Sequence, residues 1–395
     1  MVSLEGATDS DGRTAIIARS VHGLEWVCAG EVTQAGADVS SVRLSRRQVD
    51  FEIGTSAAWL LGLRTADDVF VRVGAINGVG GTKGDLPALG RAAAGLDWPR
   101  ALDCIRTVRD LPEHGSFDVV ASIEGRRSYN RFAVERSIGL AVEPVLAATF
   151  VERDAGARAG ADSDCTVRAF VRGDRVTIAV RLACRPLHRR EYKVSTGPGT
   201  LHPPVAAALV AVGGPATGTL ADPFCGDGTI AIEAALARPR LRIMASDVDP
   251  VRVQHARDNA ARARVDIGAR LADAAVFADT VTDVTAIITN PPWSQAVRPG
   301  GQLRSSGHEF IASLAGPLGR DGVLCCLTDA DLGVPALIAE RGWQLGLAQR
   351  IRLAGRVADV SLAAPPGRPP PSLPASLAGC RSQALADGVV TESGF

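Results

Sequence analysis

The chain has 395 residues with 43 basic and 43 acidic side chains, so its formal net charge of zero excludes a polycationic protein that coats nucleic acid along its whole surface. Hydrophobic content of 46% and charged content of 22% exclude a disordered or fibrous chain and leave a globular protein long enough for two or three domains. No apolar run reaches the ~18 residues of a membrane span, the polar N-terminus is not a signal peptide, and the eight cysteines form neither a Cys-x-x-Cys pair nor a Cys/His cluster of zinc spacing. The expectation is a cytoplasmic protein with reduced cysteines and no metal.

The first segment, about 13–75, reads strand, helix, strand, strand, helix, strand. "RTAIIARS" is strand-like, and "HGLEWVCAGEVTQAG" places Leu24, Val27, Cys28 and Val32 at helical spacing up to Gly36. "VSSVRLS" and "RQVDFEI" pair as a hairpin, and "TSAAWLLGLRTADDVFVRV" reads as a Thr-capped helix and a strand. Residues 76–100 are glycine-rich and read as a linker with one helix. A second α+β unit spans about 101–195. It holds the strand "FDVVASIEG", a long amphipathic helix in "SYNRFAVERSIGLAVEPVLAATF", and a hairpin turning at Gly173-Asp174. Charge is mildly segregated here: Arg100 to Lys193 holds 17 basic against 13 acidic residues. Lys83 and Lys193 are the two lysines of the chain, so anion contacts fall mostly to the bidentate guanidinium.

From about 196 strands and helices alternate, the signature of a parallel α/β sheet. In "TLADPFCGDGTIAIEAAL" a strand ends at Asp222-Pro223, and Cys225-Gly226-Asp227-Gly228-Thr229 turns tightly into a helix. Glycines admit close backbone approach of a ligand, and the helix start offers free N–H groups. The turn lacks the Lys-Ser/Thr of a phosphate loop and the third glycine of the dinucleotide fingerprint. The acid before it suits a cationic ligand, an ammonium or a sulfonium. "RIMASDVDPVRV" ends a second strand at Asp247, about 20 residues on, where an acid can hold both ribose hydroxyls. Asp249 reads as the N-cap of the following helix. "ARLADAAVF" brings a third strand-end acid, Asp273, within reach of an adenine amino group. A fourth strand, "AIITNPPWSQ", stops at Asn290-Pro291-Pro292-Trp293, because two prolines cannot continue a central strand. The Asn290 oxygen and a neighbouring carbonyl then converge on one point. Two such acceptors hold a planar amine, localise its lone pair and present it to an electrophilic methyl, while Trp293 offers a stacking face.

On these motifs, residues 196–363 resemble class I S-adenosylmethionine-dependent methyltransferases of the amino-methylating type. "DPFCGDGT", "SDVDP", Asp273 and "NPPW" match the first four motifs of that family. "GTLHPPVAAALVAV" matches the helix that closes over the methionine end of the cofactor. Asp227 stands where serine is usual, either able to cap a helix, and His202 where arginine is more usual. Relatives also carry Gly after the aromatic and Arg two further on, where this chain reads "SQAVRPGG". The resemblance implies S-adenosylmethionine held by Thr200, Asp222, Phe224, Gly226, Gly228, Thr229, Asp247, Val248, Asp273, Ala274 and Asn290, with Asn290, Pro291, Pro292 and Trp293 as the catalytic turn.

The motif serves adenine, cytosine, guanine and glutamine amines alike, so the choice falls to the N-terminal half. "GLEWVCAGEVTQAGADVSSVRLSRRQVDFEIG", "LRTADDVFVRV", "FDVVASIEGRRSYNRFAVERSIGLAV" and "RPLHRREYKVSTGPGTL" are similar to THUMP-domain RNA methyltransferases. That likeness implies a ferredoxin-like unit (1–75), a linker (76–100), a THUMP-like RNA-binding unit (101–195) and a Rossmann-like class I methyltransferase domain with a mostly parallel seven-stranded α/β sheet (196–363); it does not cover residues 364–395, whose proline-rich composition reads as a disordered tail with no core to join. It further implies a tRNA gripped by its 3′ end, a guanine N2 amine of the acceptor stem as acceptor, no DNA partner and no membrane, with a monomer favoured. Arg126, Arg127, Arg131, Arg185, Arg189, Arg190 and Lys193 are the candidate RNA contacts. Alternatives are a guanine-N2 methyltransferase of large-subunit rRNA, a protein glutamine methyltransferase using the same turn, and an RNA-binding module with an inactive methyltransferase fold.

Overall fold

The computed structural model describes residues 2–6, 12–36, 38–54, 56–153, 163–274, 281–292 and 314–392. The N-terminal half runs β1 (Ser3–Gly6), β2 (Thr14–Arg19), α1 (Glu25–Ala35), β3 (Val39–Ser45), β4 (Gln48–Ile53), β5 (Asp68–Asn77), α2 (Leu86–Ala94), α3 (Trp98–Arg106), β6 (Ser116–Ile123), α4 (Arg131–Leu146), β7 (Thr149–Phe150), β8 (Cys165–Arg172) and β9 (Arg175–Arg181). The two α+β segments share one nine-stranded sheet in the order β3-β4-β2-β5-β9-β8-β6-β7, with β1 added to β5. The join is the antiparallel pairing of β5 with β9 from Phe70↔Arg181 to Ile76↔Val176. The stretch read as a linker holds α2 and α3, which bury Leu89, Ala93, Trp98, Ala101 and Ile105. The helix expected after Thr55 is a short 3-10 turn, Ala58–Gly62, anchored by buried Leu60.

The second half runs α5 (Pro203–Gly213), β10 (Gly218–Asp222), α6 (Thr229–Ala237), β11 (Leu241–Asp247), α7 (Pro250–Ala263), β12 (Arg270–Leu271), β13 (Val284–Thr289), β14 (Leu318–Asp329), α8 (Val334–Glu340), β15 (Gln344–Leu353), β16 (Arg356–Ala364) and α9 (Ala375–Ala386). Its seven strands lie in the order β12-β11-β10-β13-β14-β16-β15. β10 to β14 pair in parallel, and β16 enters antiparallel between β14 and β15. Central strands buried on both faces need continuous apolar runs, which Ala286, Ile287 and Ile288 supply. The chain order reverses between β10 and β13, so the crevice beyond their carboxyl ends is the expected ligand position of an open α/β sheet.

The tail departs from the disordered segment expected of it. Residues 375–386 form α9, which packs on α1 with Leu377 and Ala384 buried. Gly30 makes the fit: a Cβ there would meet Leu377 Cδ2 at 2.4 Å. The prolines before α9 do not leave the chain free either, since Arg368 donates to the carbonyl of Gly319 at 2.7 Å.

Candidate active site

Asp222 ends β10 at 1% exposure. Its Oδ1 accepts from the Thr289 hydroxyl at 2.8 Å and the Phe224 amide at 3.3 Å. Burial, against those two donors and with Asp247 nearby, pushes its carboxyl up to about 7. A buried acid so poised favours a cationic partner. At the end of β11, Asp247 accepts from the Gly226 amide at 2.9 Å and the Asp249 amide at 3.0 Å, and burial raises its carboxyl as well. Asp249 accepts from the Val251 amide at 2.8 Å and is the N-cap of α7, as the sequence suggested.

Gly226 and Gly228 both take left-handed backbone, φ +51° and +79°, which only glycine adopts without strain. Nothing lies within 4 Å of a Cβ built on Gly226, whereas at Gly228 it would meet the Ala256 Cβ at 3.0 Å. One glycine therefore packs the loop on α7 and the other keeps space open above it. The Ala272 amide donates to the Asp247 carbonyl at 3.0 Å, drawing half-buried Asp273 and buried Ala274 alongside Asp247. Val248 stands 47% exposed beside them, an apolar surface of the kind an adenine ring covers.

β13 stops at Thr289, followed by half-buried Asn290, buried Pro291 and half-buried Pro292. The Thr289–Asp222 hydrogen bond fixes this turn directly beside the first acid. Trp293, Ser294 and Gln295 lie outside the described residues.

The segment before α5 is tied over the glycine loop more tightly than its sequence suggested. Lys193 Nζ donates to Thr200 Oγ1 and the Leu201 carbonyl, each at 2.9 Å, and reaches Thr229 Oγ1 at 3.3 Å. Burial pushes that ammonium down to about 8. Asp227 does not cap α6, whose N-cap is Gly228. Its carboxylate accepts instead from the Gly197 amide at 3.0 Å, Arg252 at 2.8 Å and His255 Nδ1 at 3.0 Å. These donors hold it below the ordinary value although burial works the other way. His202 pairs with Asp67 at 2.7 Å, linking α5 to the N-terminal half.

Of the expected RNA contacts, Arg126, Arg127 and Arg131 come together around a surface groove of about 640 Å³ with Tyr129 and Asn130. Arg127 is partly committed there, donating to the carbonyls of Gly80 and Gly173, and Arg131 stacks on Phe132 at 4.7 Å. The cluster read from Arg185, Arg189, Arg190 and Lys193 does not form as one surface. Arg185 and Arg189 are exposed, Arg185 against Glu191. Arg190 turns inward to Glu233 at 3.0 Å because that carboxylate, on α6 at 0% exposure, needs donors. Arg64 at 2.6 Å and the Tyr192 hydroxyl at 2.8 Å complete its shell. Sequence reasoning passed over Glu233, since an acid inside "TIAIEAALA" carries no local sign of partners 41 and 169 residues away.

Residues 190–358 match the family model described as an RMKL-like methyltransferase domain. That stretch, less than half of the chain, is similar to the RMKL-like domain. It is a class I S-adenosylmethionine-dependent methyltransferase domain related to those of guanine-N2 methyltransferases of tRNA and rRNA. The chain is 34% identical over 210 residues to the tRNA (guanine(6)-N2)-methyltransferase of Thermus thermophilus, an alignment covering 52% of this chain and 57% of that protein. It is 29% identical over 226 residues to the tRNA (guanine(10)-N2)-dimethyltransferase of Methanothermobacter thermautotrophicus, covering 53% and 61%. A 91-residue segment is 41% identical to ribosomal RNA large subunit methyltransferase K/L of Shewanella oneidensis, 22% of this chain and 12% of that one. The chain thus aligns with less than two thirds of the length of each of these curated relatives. In three dimensions it is similar to TrmN from Thermus thermophilus, with a TM-score of 0.70 and 26% identity over 89% of this chain and 99% of that one.

Proposed function

We propose that this protein transfers a methyl group from S-adenosylmethionine to the N2 amine of a guanine in the acceptor stem of tRNA. The observation that carries the reading is the Thr289–Asp222 hydrogen bond of 2.8 Å. It sets the Asn290 turn, which suits a planar amine, next to the buried acid that suits a cationic methyl donor.

The RMKL-like domain offers a site that fits this cofactor. Space stands open above Gly226, the buried acid Asp222 has no cationic side chain paired with it among the described residues, and a second acid stands at the end of β11. Asp222 would face the charged methionine end, Asp247 the ribose hydroxyls, and Val248, Asp273 and Ala274 the adenine. Bound there, S-adenosylmethionine supplies an electrophilic methyl on a sulfonium. Asn290 and a neighbouring main-chain carbonyl accept the two amine hydrogens, orient the nitrogen and concentrate its lone pair. No general base is required, because the proton can leave once the new N–C bond has formed. A guanine in a stem reaches this turn only after leaving its stack, at a cost of a few kcal/mol. The N-terminal half, read as a THUMP-type module, holds the RNA through phosphate and shape.

The N2 position and the tRNA substrate are supported by the activities named for the two tRNA relatives and by the likeness to TrmN. Large-subunit rRNA is the second reading, favoured by the segment 41% identical to methyltransferase K/L. Mass-spectrometric nucleoside mapping of tRNA and rRNA from cells with and without the protein separates them. Loss of N2-methylguanosine from tRNA alone supports the first reading; loss from 23S-type rRNA alone refutes it.

A further inference from the structure

The N-terminal sheet carries a second, separate apolar cluster of Ile17, Phe70, Phe170 and Ala179 on the face turned away from the main core. Strand alternation puts these residues opposite their neighbours Ile16, Ala18, Val69, Val71, Ala169 and Val180, which belong to that core. The sheet curls around this second face. Arg172, at the end of β8, donates to the Arg46 carbonyl at 3.0 Å and so meets the β3–β4 turn from across the sheet.

Among the described residues, guanidinium groups rather than a helix line this concave face. Arg19 and Arg168 lie 5.0 and 5.2 Å from the Phe170 ring centre, one from β2 and the other from β8. Arg168 and Arg181 lie 6.0 and 5.8 Å from Phe70. Arg181 is neutralised by Asp68 at 2.8 Å and donates to Thr166. Arg172 has Glu124 at 3.1 Å, and Arg47 has Asp67 at 3.9 Å. Arg19 and Arg168 have no carboxylate within 4 Å among the described residues. Among the described residues Arg19 donates to the Gln48 amide oxygen alone, at 2.9 Å, and the buried Nε of Arg168 meets no acceptor. Of the acids close by, Asp50 accepts from Gln48 at 2.9 Å, Asp67 bonds His202 at 2.7 Å, and Glu135 accepts from the Ala121 amide at 2.9 Å through Oε1, which also lies 3.6 Å from Arg153. Burial, and then the neighbouring arginines, depress both cations to about 10. A buried cation without an anion is costly, and cation–π contact offsets only part of that.

We propose that this concave face is an anion site, in which Arg19 and Arg168, with Arg47 and Arg172 at its rim, receive a phosphate group. The guanidinium fork matches tetrahedral phosphate oxygens, and two forks from opposite strands bracket one group. The phosphate belongs either to a phosphodiester of a bound RNA strand or to a small phosphorylated compound. The site is separate from the methyl-transfer crevice, so it stands whether or not that crevice acts on tRNA.

The test uses the full chain and inorganic phosphate. At matched ionic strength, the melting temperature rises with phosphate over chloride, saturating, and calorimetry gives one site. Arg168→Met, which removes the charge and keeps the stem, weakens phosphate affinity by about tenfold or more, with cofactor affinity unchanged. Arg19→Gln, a second variant, does the same. If Arg168→Met also weakens tRNA binding by about tenfold and phosphate competes with tRNA, the natural ligand is a phosphodiester. If tRNA binding is unaffected while phosphate affinity is lost, the ligand is a small phosphate compound. No saturable phosphate effect on the wild-type chain, or equal affinity in both variants, overturns the site and leaves a water-filled concavity.

Discussion

At the scale of the residue, Asp222 connects the chemistry to pH. Its folded carboxyl titrates at about 7 against an ordinary 3.8, so the folded chain binds more protons than the unfolded chain between those values. Stability contributed by this group is therefore full below 3.8 and is lost as pH rises toward about 7. A cationic ligand reverses the preference, because it favours the carboxylate. Cofactor affinity is expected to rise by up to about tenfold per pH unit toward pH 7 and then level off. Titration calorimetry at several pH values checks this, with Asp222→Asn giving a weaker and flat profile. Asn290→Ala is expected to abolish methyl transfer with cofactor affinity nearly unchanged; a variant that still transfers methyl removes the role given to Asn290. Which residues were legible follows from how far their partners lie. Asp222, Asp247 and Asn290 are read from strand ends and a proline stop, both local features. The partners of Lys193 and Asp227 were not legible, because they arrive from the 197–201 strap and from α7.

At the scale of the element, α6 does two tasks. Its start closes the glycine loop, and its buried Glu233 ties Arg64, Arg190 and Tyr192 to the methyltransferase sheet. Removing the charge leaves two guanidinium groups without their carboxylate. Glu233→Gln is expected to cost about 3 kcal/mol, at the low end for a buried pair because Arg64 is partly exposed. Denaturant unfolding measures it, and a loss below about 0.5 kcal/mol would show the network to be incidental. The strands and helices of this half were readable because apolar runs and strand-end acids mark each boundary. The short 3-10 turn at 58–62 was not, since one anchored leucine and a helical turn look alike in sequence.

At the scale of the molecule, distant segments are joined by pairings that periodicity cannot announce. β5 meets β9 about a hundred residues on, and the Arg352 amide donates to the His22 carbonyl at 2.9 Å, fastening β15 to the N-terminal half. The tail makes a third tie: its prolines suggested a chain without a core to join, yet α9 finds one on α1. Leu377→Ala is expected to cost about 2–5 kcal/mol, read as a lower melting temperature, with an unchanged value showing that α9 is not held by this contact.

The most direct test of the methyl-transfer reading is an assay of the purified chain with labelled S-adenosylmethionine and an unmodified tRNA transcript, followed by digestion to nucleosides and mass spectrometry. The expected result is N2-methylguanosine at an acceptor-stem position, absent with Asn290→Ala. Label in N6-methyladenosine or in protein glutamine, or an unmodified tRNA beside a methylated rRNA guanine, would contradict it.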